Sequence, residues 1–88
     1  MKIKSGYMLN KLGNQFVVVA IGDRSKEFQG MIKLNESASF LWKRLEEEMK
    51  QDQLVAALQA EYELSEEVAR RDVEAFLAIL SQQGILAE

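Results

Sequence analysis

The side chains here that could take part in chemistry are carboxylates, lysines, arginines, hydroxyls and amides, because the 88 residues include no histidine and no cysteine. The chain alone can therefore build no thiolate nucleophile, imidazole base, disulfide, thiolate zinc site or iron–sulfur cluster. Carboxylate catalysis needs two groups facing one reacting centre, and no Asp/Glu pair has a spacing that implies one. The densest acidic run, Glu46-Glu47-Glu48, reads as a solvated helix end. Adjacent helical residues diverge by about 100° and cannot converge on one ion. No glycine-rich phosphate loop is present. The expectation is a protein with no catalytic residues, no metal site and no cofactor.

What remains is the chemistry of the main chain. Tyr7 to Leu12 alternates loosely, and Gly13-Asn14 tolerates the positive φ of a hairpin turn. Gln15 to Ile21 is dense in β-branched and aromatic residues. After a polar loop at Gly22 to Lys26, a third strand runs from about Phe28 to Leu34. Short connections between three strands predict an antiparallel meander, in which the third strand is an edge. Its unpaired N–H and C=O groups at Gly30, Met31, Ile32, Lys33 and Leu34 would accept a visiting extended chain. Ile32 and Leu34 should face the core and Met31 and Lys33 the other way. The alternative is an edge already covered by a helix or by the N-terminal residues.

The other two-thirds reads as three helices. Asn35 caps the first, with Ala38, Leu41, Trp42, Leu45 and Met49 on one stripe. Trp42 belongs to the core, whereas Phe40 falls off that stripe. A weakly marked break near Met49-Lys50 precedes the second helix, which carries Leu54, Ala57, Leu58 and Tyr62. Ser65 caps the third, whose core stripe is Ala69, Val73, Phe76, Leu77 and Leu80 and which ends at Gly84. Beside that stripe, Val68, Asp72, Ala75 and Ile79 share another face, bordered by Arg71. This partly apolar line could wall a groove floored by the third strand, or pack within the domain. The predicted fold is α+β and winged-helix-like: a three-stranded antiparallel sheet followed by three helices, one domain over residues 1–88.

The bulk properties fit a small binding module. A domain of this length has little room for a deep cavity. No secretory apolar stretch opens the chain, and no apolar run reaches the ~20 residues that span a bilayer. A cytoplasmic protein with no membrane contact is expected. Residues 1–44 hold eight Lys/Arg against three Asp/Glu, and residues 45–88 three against eleven. The second strand is apolar on both faces, so the sheet face away from the helices needs cover from the N-terminal residues, a partner or a second copy, which would make a homodimer. Lysine stems could also shield it.

The run Phe28-Gln29-Gly30-Met31-Ile32-Lys33-Leu34-Asn35-Glu36-Ser37-Ala38-Ser39-Phe40-Leu41-Trp42 resembles the signature of the PqqD-like family. So does the later set Tyr62, Leu64, Asp72, Val73, Phe76, Leu77, Leu80 and Gly84-Ile85-Leu86. The likeness spans Gly6 to Leu86 and departs from the family pattern at Ala20, Gln29 and Lys50. It implies a peptide chaperone, or RiPP recognition element, serving ribosomally synthesised and post-translationally modified peptides. Such a domain binds the leader segment of a precursor peptide and presents it to a modifying enzyme, often a radical SAM enzyme. In the family the leader adds beside the third strand and lies against the third helix. That maps onto Gly30 to Leu34, while Val68, Arg71, Asp72, Ala75 and Ile79 follow from helical phase alone.

A winged-helix nucleic-acid binder is the competing reading. Phosphate neutralisation needs surplus Lys/Arg. The third helix sets Arg70 and Arg71 against Glu66, Glu67, Asp72 and Glu74, and the second, Gln51 to Tyr62, has no basic residue. No nucleic-acid partner is expected. A purely structural dimerisation subunit is the other alternative.

Overall fold

In the computed structural model, residues 1–27 and 30–87 are described, apart from the side chains of Arg24 and Glu27. The elements in chain order are β1 (Lys2–Ile3), β2 (Tyr7–Leu12), β3 (Gln15–Ala20), α1 (Arg24–Glu27), β4 (Met31–Leu34), α2 (Glu36–Arg44), α3 (Gln51–Tyr62), α4 (Glu66–Gln82) and β5 (Leu86–Ala87). The antiparallel sheet β2-β3-β4 followed by α2, α3 and α4 is the predicted α+β arrangement. Where a polar loop was expected, residues 24–27 form one helical turn that lies against β3. The third strand begins at Met31; Gly30 is a bend at φ 153°, and Phe28 and Gln29 lie outside the described residues.

The sheet puts one face on the helices. Val18 and Leu34 join Leu41, Trp42, Leu58, Phe76 and Leu80 in a single core, with Ile32, Tyr7, Leu9 and Phe16 partly buried at its edge. Alternation turns Val17, Val19, Met8, Met31 and Lys33 to the other face. There Val17 is only 2% exposed, whereas Met8, Leu12 and Met31 stand open to solvent.

The N-terminal residues do not cover that face. Lys2–Ile3 pairs antiparallel with Leu86–Ala87, a terminal ribbon that the sequence did not suggest. This ribbon also explains where α2 stops. The expected stripe ran on to Met49, but the helix ends at Arg44 with Leu45 as its C-cap. The Ile3 amide donates to the Leu45 carbonyl at 3.0 Å, and the Met49 amide donates to the Met1 carbonyl at 2.9 Å. The Met1 ammonium meets the Glu48 carboxylate and also donates to the Met49 carbonyl. Carbonyl and amide groups that would have continued the helix are instead paired with the incoming terminus.

The helix starts follow the sequence closely. The Asn35 side chain accepts from the Ala38 amide at 2.8 Å, and the Ser65 hydroxyl accepts from the Val68 amide at 3.2 Å. Lys50 has no acceptor to offer at the α3 cap, and Gln53 compensates by accepting from the Lys50 amide at 2.8 Å. Phe40, off the inner stripe, sits edge-on to Tyr62 with ring centroids 5.8 Å apart, and Arg44 lies over its ring. Loss of one cap should be felt but survivable: Ser65→Ala is expected to lower stability by about 1 kcal/mol, seen as a lower urea midpoint at unchanged slope.

Candidate functional site

The site starts with hydrogen-bond phase along the sheet. In an antiparallel pair, directly opposed residues alternate between those that exchange N–H···O bonds and those that do not. The Ile21 amide donates to the Gly6 carbonyl at 2.8 Å, one step beyond the Tyr7↔Ala20 pair. Counting on by twos, Met8↔Val19, Asn10↔Val17 and Leu12↔Gln15 are the bonded pairs between β2 and β3. The backbone groups of Phe16 and Val18 therefore turn towards β4, where their partners are Leu34 and Ile32.

That phase assigns the edge. Ile32 and Leu34 spend their N–H and C=O groups on β3 and their side chains on the core. The N–H and C=O groups of Met31 and Lys33 point away from the sheet, and among the described residues no further strand lies beside β4. Of the five positions proposed from sequence, Met31 and Lys33 thus present the outward groups, while Gly30 sits just before the strand.

Next to this edge is a small cleft of about 150 Å³, lined by Asn35, Ser37, Ala38 and Leu41 on one side and by Asp72, Ala75, Phe76 and Ile79 on the other. It differs from the groove expected from helical phase, because its second wall is the first turns of α2 and not β4 itself. The chain enters that wall directly from the edge strand, at Leu34-Asn35. Asp72, Ala75 and Ile79 are brought together as expected. Val68, half-buried, and Arg71, exposed, lie towards the start of α4 and do not line the cleft.

Asn35, Ser37 and Ala38 were not singled out from sequence as a binding wall. Asn35 read only as a helix cap, and Ala38 only as core. Their position immediately after an edge strand was the available signal.

The cleft is apolar at Ala38, Leu41, Ala75, Phe76 and Ile79, with Asn35, Ser37 and Asp72 at polar positions. The Asn35 side-chain oxygen already accepts from the Ser37 hydroxyl at 3.1 Å as well as from the Ala38 amide. Away from the cleft, burial and then the Glu36 and Glu61 carboxylates hold the Tyr62 phenol above its ordinary range, so it stays neutral as a packing group.

The family model described as coenzyme PQQ synthesis protein D matches residues 5–86. The chain belongs to the PqqD family. No curated protein matches. Two solved structures share the PqqD-like fold. One, described as TbiB1 in complex with the TbiA(beta) leader peptide, is 23% identical with a TM-score of 0.75, covering 100% of both chains. The other, a lasso peptide synthetase B1 complexed with the leader peptide, is 20% identical with a TM-score of 0.74, covering 99% of this chain and 96% of that one.

Proposed function

We propose that this PqqD-family chain is a non-catalytic peptide chaperone that binds the leader segment of a ribosomally synthesised precursor and presents it to a modifying enzyme. The observation that carries the reading is the β4 edge, with the N–H and C=O groups of Met31 and Lys33 directed outward beside an apolar cleft. An extended leader would pair its backbone with those groups and place one apolar side chain in the cleft between α2 and α4. Two solved relatives in fold are themselves complexes with leader peptides, which supports the same use here.

The size of the cleft supports a peptide side chain over a small-molecule substrate. At about 150 Å³ it falls short of the roughly 300–1,000 Å³ that enclose small ligands. Ladder bonds and the buried side chain supply affinity, offset by the cost of ordering a flexible peptide. Tethering the leader then raises the local concentration of the core peptide at the enzyme, which by family likeness is a radical SAM enzyme. No helix among the described residues is long and apolar enough to cross a membrane, in keeping with a chaperone that works in the cytoplasm.

The test is a titration of ¹⁵N-labelled protein with the N-terminal segment of a short precursor reading frame encoded beside the gene. Amide shifts should concentrate at Gly30 to Asn35 and at Asp72, Ala75 and Ile79. Saturable binding that leaves all of these unmoved would overturn the placement.

A further inference from the structure

A strand added at β4 extends every row of side chains that runs across the sheet by one residue. The pairing fixes those rows. On the face turned from the helices, Met8, Val19 and Met31 stand opposite one another, as do Asn10, Val17 and Lys33. A leader residue directly opposed to Met31 or Lys33 puts its side chain on this same face, with Cβ atoms about 4.5–5.5 Å apart in an antiparallel pair. The residue between those two, opposite Ile32, turns to the helix side. The outer rows and the helix side of the sheet therefore read alternate residues of the leader.

The two rows end differently at the open edge. Met8, Val19 and Met31 are apolar throughout, and Met31 is 57% exposed. Lys33 is exposed, is the one charged side chain in either row, and forms no ion pair with a described residue. Its row neighbours Val17 and Asn10 offer it no carboxylate. A lysine on an open edge discourages indiscriminate pairing, because a strand laid beside it displaces water from the ammonium and returns no partner. A carboxylate at the opposed position removes that cost. The residue that guards the edge thus also selects what may join it. Charge balance agrees: residues 1–44, which contain the whole of β2-β3-β4, hold eight Lys/Arg against three Asp/Glu.

We propose that Lys33 and Met31 determine leader specificity from the outer face: the leader carries an Asp or Glu opposite Lys33 and an apolar residue opposite Met31, two positions apart. This rests on strand addition at β4 and adds to the anchor in the cleft a requirement on the residues that face away from it. An antiparallel leader has the acid first and the apolar residue two places later. A parallel one has them in reverse order.

The test is a charge-reversal cycle on the full chain. The probe is the N-terminal segment of the precursor reading frame beside the gene, made as a set in which each Asp or Glu in turn is replaced by lysine. Lys33→Glu should weaken binding of the unaltered leader by about five- to tenfold at low ionic strength, since a cross-strand attraction becomes a repulsion of similar size. Lys33→Gln, which only removes the charge, should cost about two- to fivefold. One lysine-substituted leader, and no other in the set, should bind Lys33→Glu within about twofold of the parental pair. Serine in place of the apolar residue two positions from that acid should weaken binding to the parent protein. A urea midpoint confirms that both Lys33 variants are folded. The proposal is overturned if the leader moves the amides of Gly30 to Asn35 but no substituted leader is rescued by Lys33→Glu, or if both neighbours two places from the rescued acid can be serine without loss. Strand addition survives either result. A leader that binds without moving those amides removes strand addition itself, and this specificity with it.

Discussion

Lys33→Pro should leave the domain folded and weaken leader binding by at least about tenfold, whereas Ile32→Pro, one residue away, should damage the fold itself. The difference lies in which way each amide points. Proline removes the backbone donor and is tolerated in sheets where that donor would face solvent from an edge. The Lys33 amide faces outward from β4. Ile32 is paired with Val18 in the bonded phase, so its amide belongs to the β3 ladder. A single hydrogen bond contributes a net ~0.5–1.5 kcal/mol, or roughly two- to tenfold in affinity. The ring's obstruction of an approaching strand adds to that. Circular dichroism and a urea midpoint establish folding, and calorimetric titration with the leader reads affinity. Replacing the amide before Lys33 by an ester through semisynthesis removes the donor without the ring, and should reproduce the smaller part of the loss. Full affinity in a folded Lys33→Pro protein would argue against strand addition at β4.

The sequence alone could not make that distinction. Alternation of Ile32 and Leu34 with Met31 and Lys33 is visible in residue types, since side-chain facing follows from a period of two. Hydrogen-bond phase is a property of the pairing, and it depends on where the β2–β3 hairpin closes. Substituting Ile32 would look as good a probe as substituting Lys33 until the Gly6–Ile21 bond is known. The helices were more legible. Asn35 and Ser65 are polar side chains with the right reach to cap a helix, and both do so. By contrast, the end of α2 was hidden. Leu45 and Met49 continue a helical stripe, and no glycine or proline interrupts it. The helix stops because Ile3 and Met1, more than forty positions earlier in the chain, take the backbone groups of Leu45 and Met49. Nothing local to residues 45–50 encodes that competition.

The same reasoning separates the two halves of the candidate site. Asp72, Ala75 and Ile79 share a face by helical phase, and the cleft uses that face. What they face was not legible, because a helix wheel fixes which residues point together but not which element stands opposite. Here the opposing wall is Asn35, Ser37 and Ala38, whose own cap and core duties concealed a second one. Val68 shares the phase but not the cleft, because that cleft opens further along α4.

Ala75→Trp should then abolish leader binding, with a loss on the order of a hundredfold, while leaving stability within about 0.5 kcal/mol of the parent. Ala75 is exposed and lies on the cleft wall, so a larger side chain has solvent to rotate into and need not disturb Phe76 or Leu80 behind it. Tryptophan is nonetheless large enough to fill a cleft of about 150 Å³, and it prefers the apolar surface there to water. An incoming leader side chain would have to displace it. Ala78→Trp, also exposed but on the solvated flank of α4, is the matched control and should bind normally. The pair separates occlusion from any general effect of a surface tryptophan. If both variants bind the leader at parental affinity, the leader does not enter between α2 and α4, and strand addition would have to act without a side-chain anchor. If Ala75→Trp alone fails while its urea midpoint holds, the cleft is where the leader's side chain goes.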